Sequence, residues 1–199
     1  MRIEIVVFDG FDEMDAFGPF EVFDSAARAG ADFDVALVGV DRPGRVTASH
    51  GVVLEVSRPI GSPDAIVIPG GGWLEDTETG VRKQVADGVL PAAVAELAST
   101  VQWTASVCTG GMLLAEAGIL TGRTATTNRG AHEQLRGYGV TVRPERVVDD
   151  GNVVTAGGIT CGIDLALHLT ERGAGADIAA TVGGWIEYPR DRAAVYIAG

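Results

Sequence analysis

The residue best suited to covalent chemistry is Cys108, which follows an apolar run ending at Val107. Thr109 and two glycines come next, and a helix-forming segment begins after them. A strand that turns sharply into a helix presents the turn residue at the end of the sheet, close to the first amides of the helix. This pattern predicts a nucleophile elbow at Cys108. Its alternative interpretation is a buried thiol that packs as a small apolar side chain.

Cys108 has to lose its proton before it can attack, and a free thiol has a pKa of about 8.5. A helix N-terminus stabilises an adjacent negative charge by about 0.3–1 kcal/mol, whereas one pKa unit corresponds to about 1.4 kcal/mol. The helix alone therefore lowers the pKa of Cys108 by less than one unit. We expect hydrogen bonds from amides of the elbow and from a protonated carboxyl group to supply the rest.

Asp15 is the carboxyl group that we assign to this role. It follows the first predicted strand, and the loops after parallel strands meet at one edge of a sheet. The alternative role of Asp15 is a helix N-cap, which is common for aspartate. The nearby Asp12 and Glu13 are interpreted as solvated loop charges.

A glycine-rich turn, Pro69-Gly70-Gly71-Gly72, follows the buried segment Ala65–Ile68. Consecutive glycines at a strand end allow backbone N–H groups to face a ligand, as in anion-binding nests. Gly71 and Gly72 are therefore candidate substrate-binding residues. A plain turn between a strand and a helix is the alternative interpretation.

The positions of the three histidines in the sequence argue against peptide hydrolysis. A peptidase needs an acid to protonate the amine that leaves, and cysteine peptidases use histidine for it. Thr109 follows the nucleophile instead. His50, His132 and His168 lie in predicted regular elements and are interpreted as structural, with His132 left open. No set of Cys, His and carboxylate residues has zinc-ligand spacing, so we expect no metal and no other cofactor.

The chain has 199 residues, 46% of them hydrophobic, and a formal net charge of −12. This acidity argues against nucleic acid as a partner. No apolar run approaches the ~18 residues of a membrane span. The two cysteines cannot form a disulfide framework, and the N-terminus has no basic leader, so we expect a cytoplasmic protein.

Buried strands alternate with helices along the whole chain, which predicts an α/β domain over residues 1–199 with a mostly parallel sheet covered on both faces. Pro19 is expected in the first turn of the first helix. The segment Val81–Ser99 is expected to be helical with a break near Gly88 and Pro91, and Arg190–Gly199 is expected to form a short tail. The predicted strands are Ile3–Phe8, Phe33–Val40, Ala65–Ile68, Val101–Val107 and Thr124–Asn128, with hairpins at Val46–Val56 and Val147–Ala156.

Several segments together resemble the ThiJ/PfpI (DJ-one) superfamily, in their order and spacing over nearly the whole chain. Asp15 combined with Cys108-Thr109 resembles the isocyanide hydratase subgroup, whereas peptidase-like members have Glu and Cys-His. Ligand-sensing domains of AraC-type regulators share part of this pattern, but we expect no DNA-binding helices within these 199 residues. The matching segments are Phe8-Asp9-Gly10-Phe11, Asp15–Pro19, Ile68–Gly71, Ser106–Gly110, Ala125–Thr127 and Gly157–Thr160.

The resemblance implies a flavodoxin-like three-layer sandwich, a homodimer, and Cys108 as the nucleophile at a strained elbow. It also implies that Asp15 hydrogen-bonds near the thiol and that the Gly71 and Thr109 amides stabilise developing charge. Two residues depart from the pattern of the relatives. Asn128 stands where histidine is frequent, and Cys161 stands where a small inert residue is usual.

These residues favour a cysteine-dependent hydratase that converts an isocyanide, a small-molecule substrate, into an N-substituted formamide through a thioimidate. A thiolate leaves readily, so no histidine acid is needed, and one carboxyl group can move both protons. Two alternatives stay open. One is a non-catalytic or redox-responsive ligand-sensing protein, and the other is a glyoxalase- or deglycase-like enzyme acting on a small aldehyde.

Overall fold

The computed structural model describes residues 1–75 and 77–199 of the chain. Within these ranges the strands are β1 (Arg2–Val6), β2 (Asp34–Val38), β3 (Gly44–Thr47), β4 (Val53–Val56), β5 (Ala65–Ile68), β6 (Trp103–Ser106), β7 (Thr124–Ala125), β8 (Thr141–Val142), β9 (Val147–Asp150), β10 (Val153–Ala156) and β11 (Val195–Ile197). Seven of them form the main sheet in the order β11-β9-β10-β6-β5-β1-β2. All neighbours in it are parallel except β9 and β10. The mostly parallel sheet is thereby confirmed.

Helices cover both faces of this sheet. They are α1 (Glu13–Arg28), α2 (Val81–Asp87), α3 (Val89–Leu97), α4 (Gly110–Glu116), α5 (His132–Arg136), α6 (Cys161–Ala174) and α7 (Ala176–Trp185). Helices α1, α6 and α7 pack together, and α2 to α5 form a second group. The central strands β5 and β6 are buried along their whole length, as expected for parallel strands between two helical layers. No helix in the described ranges is both long and apolar enough to span a membrane.

The structure corrects three details of the predicted elements. Pro19 lies in the interior of α1, because the side chain of Asp12 caps the helix by accepting from the Met14 amide at 3.0 Å. The break between α2 and α3 falls at Gly88, which adopts a φ of +74°, while Pro91 sits in the first turn of α3, where its missing N–H costs no hydrogen bond. The C-terminal tail contains β11, which pairs with the outer edge of β9.

The topology brings the predicted site residues to one edge of the sheet. Strand β1 leads to β2 on one side, while β5 and β6 follow on the other, so the chain reverses its direction of sheet growth between β1 and β5. Ligands of open α/β sheets bind beyond the carboxyl ends of the strands at such a switch point. Asp15 follows β1, Gly71 follows β5 and Cys108 follows β6.

Glu13 fastens the hairpin β3–β4 to the start of α1. Its side chain is buried, with 8% of the residue exposed. The carboxylate accepts from the His50 amide at 2.9 Å, from the Val52 amide at 3.4 Å and from Ser49 Oγ at 3.2 Å. His50 Nδ1 lies 2.7 Å from the same group. The expectation that Asp12 and Glu13 are solvated loop charges was therefore wrong, because one caps a helix and the other holds a loop.

Replacing Glu13 by Gln is expected to destabilise the fold by about 1–3 kcal/mol, because the hydrogen bonds from the His50 and Val52 amides then reach a neutral oxygen and the attraction to protonated His50 is lost. Urea denaturation measures the free energy of unfolding. The matched control is Glu55→Gln on β4, a carboxylate 74% exposed and 3.9 Å from Arg45. It is expected to change stability by less than about 0.5 kcal/mol. If the two substitutions lowered the free energy of unfolding equally, Glu13 would not hold the β3–β4 hairpin to α1.

The pH dependence of this contact has a defined sign. Burial raises the pKa of Glu13, but hydrogen bonds from His50 and Val52 outweigh it and leave that pKa below its ordinary 4.5. Its contribution to stability is therefore present above the pKa of the unfolded chain and is lost as pH falls through the lowered value. Pairing with Glu13 raises the pKa of His50 above 6.5, so the His50 contribution is lost as pH rises through that raised value.

Candidate active site

Cys108 occupies a strained turn between β6 and α4. Its φ is +54°, a left-handed conformation that is unusual for a residue with a side chain. The backbone around it is held firmly, since the Cys108 amide donates to the Gly157 carbonyl at 2.9 Å and Thr127 Oγ1 donates to the Cys108 carbonyl at 2.7 Å. Gly110 lies so close to β5 that a Cβ would overlap the carbonyl oxygen of Ile68. The turn is thus possible only with glycine at this position.

Asp15 points from the first turn of α1 into the protein and is fully buried. Its Oδ2 accepts from the Gly70 amide at 3.0 Å, and Oδ1 has no hydrogen-bond partner among the described residues. The N-cap position belongs to Asp12, so capping does not explain Asp15. Burial raises the pKa of Asp15 well above 3.8, and the charge of Asp12 adds to this. The Gly70 amide and the Cys108 thiol act in the opposite direction.

The Cys108 thiol is also buried, with 6% of the residue exposed. Burial, followed by the charge of Asp15, raises its pKa to about 12. Asn128 and the amides of Ile159 and Thr109 favour the thiolate and oppose this increase. The expected lowering of the thiol pKa was therefore wrong for a site in which Asp15 is ionised. The burial of the thiol and the charge of Asp15 together outweigh three hydrogen-bond donors.

The two raised pKa values describe one coupled pair. Two adjacent negative charges in a buried site repel each other, so the pair retains one proton. When Asp15 holds that proton, its charge no longer raises the pKa of Cys108, and the thiolate faces a neutral acid. When the thiol holds it, the carboxylate faces a neutral sulfur. The arrangement therefore couples the protonation of a nucleophile to that of an acid.

The candidate substrate-binding residues Gly71, Gly72 and Thr109 make three different sets of contacts. The Gly71 amide donates to Thr109 Oγ1 at 2.9 Å, so this structure directs it to a side chain. Gly72 packs against the backbone of Thr79 and Gly80. The Thr109 amide does favour the charged form of the Cys108 sulfur. Of Gly71, Gly72 and Thr109, it is therefore Thr109 whose backbone amide lies at the nucleophile.

Two residues complete the surroundings of the sulfur. Asn128 Nδ2 donates to Cys108 Sγ at 3.3 Å, and Asn128 Oδ1 accepts from the Gly130 amide at 2.9 Å. Because the Gly130 amide can only donate, the orientation of the side-chain amide is fixed. Asn128 was visible in the sequence only as a departure from the relatives. Ile159, with a φ of +47°, contributes a backbone amide, for which the sequence carries no side-chain signal.

The histidines lie outside the immediate surroundings of the sulfur. His132 Nε2 lies 3.1 Å from the Thr127 carbonyl, and His168 Nε2 lies 2.6 Å from Asp149 Oδ2. His50 contacts Glu13. In the described ranges, no group of three or more His, Cys, Asp or Glu residues is arranged to hold a metal ion.

Comparisons with known proteins give matches over most of the chain. The model of the DJ-1/PfpI family matches residues 1–172. An isonitrile hydratase from Pseudomonas putida is 34% identical over 191 residues, which covers 94% of this chain and 78% of the relative. A deglycase from Pyrococcus abyssi is 27% identical over 78% of this chain and 89% of its own length. The crystal structure of a ThiJ/PfpI family protein from Pseudomonas syringae gives a TM-score of 0.83 at 26% identity, covering 96% of this chain and 76% of that one.

Asn128→Asp is expected to slow the alkylation of Cys108 by about tenfold or more at pH 8. Aspartate can still accept from the Gly130 amide, but it presents a carboxylate instead of an N–H group to the sulfur, which disfavours the thiolate. The measurement is the pH dependence of iodoacetamide labelling, read for the Cys108 peptide by mass spectrometry.

Asn128→Ser is the matched control, because serine also caps a helix but brings neither a donor of the same reach nor a charge. Its labelling rate should fall between those of the wild type and Asn128→Asp. An unchanged rate in Asn128→Asp would show that the amide does not support the thiolate.

Proposed function

The chain belongs to the DJ-1/PfpI family, and we propose that it is a hydratase that converts an isonitrile into an N-substituted formamide. Cys108 is the nucleophile, and Asp15 moves the protons. One observation carries this proposal: the buried Asp15–Cys108 pair, in which the side chain that donates to the sulfur is the Asn128 amide. An amide stabilises a thiolate but cannot release a proton to a leaving group.

The first step forms a bond between the Cys108 sulfur and the terminal carbon of the isonitrile. In the reactive form of the pair, Cys108 is a thiolate and Asp15 is protonated. The sulfur attacks the carbon, and Asp15 gives its proton to the same carbon. The product is a thioimidate, S–CH=N–R, and Asp15 is left as a carboxylate. The amides of Thr109 and Ile159 and the Asn128 side chain support the thiolate before the attack.

The second step adds water to the thioimidate. The Asp15 carboxylate accepts a proton from the water as its oxygen bonds to the carbon, and that proton passes to nitrogen. The tetrahedral intermediate then forms the carbonyl, the carbon–sulfur bond breaks, and the hydroxyl proton returns to Asp15. An N-substituted formamide leaves, and the original pair is restored. The sum is one isonitrile and one water giving one formamide, and a thiolate leaves without an imidazole acid.

The same features support a negative proposal, that the protein is not a peptidase. Peptide hydrolysis has to protonate an amine leaving group, and in this site the donor at the sulfur is Asn128. A homodimer and a cytoplasmic location stay predictions.

Turnover by purified protein tests the proposed activity. A panel of small isonitriles, methylglyoxal and unfolded casein is offered to the wild type and to Cys108→Ser. Formamide production that disappears in Cys108→Ser is the expected result. Cys108-dependent consumption of methylglyoxal, with no formamide from any isonitrile, would contradict the hydratase and favour an enzyme acting on aldehydes.

Asp15→Asn is expected to reduce isonitrile turnover by about 10²–10⁴, the usual effect of one acid–base group. The Gly70 amide fixes the oxygen of the new side chain, so the NH₂ group occupies the position of Oδ1. That group cannot deliver and recover a proton. It carries no charge, so labelling of Cys108 by iodoacetamide should be as fast as in the wild type or faster.

Asp12→Asn is the matched control, because the change in chemistry is identical and Asn caps a helix about as well as Asp. It should retain near wild-type turnover. The catalytic role of Asp15 would be refuted if a folded Asp15→Asn protein turned over isonitriles at the wild-type rate.

A further inference from the structure

A cavity of about 350 Å³ lies beside the candidate active site, and of its side chains the mechanism above uses that of Asn128. Its size is within the range of small-molecule sites. Both positions that depart from the relatives, Asn128 and Cys161, line it. The other lining residues are Thr126, Thr127, Arg129, His132, Pro144, Glu145, Arg146, Gly157 and Gly158.

The cavity shares two wall residues with the immediate surroundings of Cys108, which is not itself part of the wall. Asn128 belongs to its wall and also donates to Cys108 Sγ at 3.3 Å. Gly157 belongs to the same wall, and its carbonyl accepts from the Cys108 amide at 2.9 Å. A substrate whose carbon is bonded to the sulfur therefore has this space next to it for the group that it carries on nitrogen.

Two arginines, Arg129 and Arg146, line the cavity together with Cys161. Burial raises the pKa of the Cys161 thiol, the charges of Arg146 and Arg129 act against this increase, and those of Asp164 and Asp15 add to it. The buried Asp164 holds Arg146 through Nε at 2.8 Å. Arg129 has no carboxylate within 4.0 Å among the described residues.

The carboxylate in the wall does not cancel this charge. Both oxygens of Glu145 accept from the guanidinium of Arg143, at 2.6 and 3.2 Å. The pairs Arg143–Glu145 and Arg146–Asp164 are each neutral, so Arg129 remains as the surplus cation of the wall among residues 1–75 and 77–199. The N-terminus of α6, which begins at Cys161, adds a partial positive charge to the same wall. In a chain with a net charge of −12, this is a local site of the opposite sign.

We propose that this cavity binds a carboxylate, with Arg129 as its principal partner and Arg146 beside it. This substrate class rests on the proposed function: if the protein hydrates isonitriles, the bound carboxylate belongs to the substituent on the isonitrile nitrogen. The enzyme then acts on small isocyano carboxylates, and its product is an N-formyl amino acid or a similar formamide. A planar guanidinium suits a carboxylate because it can donate two parallel hydrogen bonds.

The direct test measures product binding, which needs no turnover. N-formylglycine and its neutral isostere N-formylglycinamide are titrated into the wild type by calorimetry. A charge-assisted bond to Arg129 is expected to make the acid bind about tenfold or more tightly than the amide. In Arg129→Gln the ratio of the two affinities should fall towards one. Arg136→Gln is the control, since Arg136 lies on α5 outside the cavity wall and pairs with Glu133.

The matching substrates, isocyanoacetate and isocyanoacetamide, separate the two proposals. A preference for isocyanoacetate in kcat/KM that decreases in Arg129→Gln supports both. Equal binding of the acid and the amide by the wild type overturns the carboxylate site, even if both isonitriles are hydrated. Preferential binding of the acid without turnover of either isonitrile supports the carboxylate site and contradicts the hydratase.

Discussion

The site depends on one electrostatic constraint: a thiol and a carboxyl group are buried side by side where water cannot solvate two charges. Burial raises the pKa of Asp15 well above 3.8 and that of Cys108 to about 12. When the pair loses its first proton, one partner becomes negatively charged and the other keeps its proton. This constraint makes Asp15 a neutral acid whenever Cys108 is a nucleophile.

The backbone packs closely around this pair. A Cβ on Gly70 would lie 2.9 Å from Asp15 Oδ2, and a Cβ on Gly110 would overlap the β5 backbone, so both glycines are required for the approach of α1, β5 and the elbow. The left-handed backbone at Cys108 is retained because carbonyl and amide groups on both sides of it are bonded. The cavity beside the pair is lined by both positions that depart from the relatives, Asn128 and Cys161.

Much of the architecture could be predicted from the sequence, because apolar strands and turn glycines carry local signals. The position of Cys108 at a turn and of Asp15 at the same edge followed from strand order alone. Other features depend on tertiary contacts. Glu13 is buried because the β3–β4 hairpin, which is distant in sequence, packs over it. The Ile159 group that acts on Cys108 is a backbone amide, which the residue type does not reveal. The direction of the thiol pKa was missed because sequence gives donors but not the extent of desolvation.

The most direct measurement is the infrared difference spectrum of the carboxyl and thiol groups as a function of pH, with Asp15→Asn and Cys108→Ser as references. We predict that the pair retains one proton at about pH 10, where an ordinary aspartate and an ordinary thiol, with pKa values of about 3.9 and 8.5, are both ionised. This proton gives either the C=O stretch of a protonated Asp15 or the S–H stretch of Cys108. A wild-type spectrum at that pH with neither band would contradict the shared-proton pair.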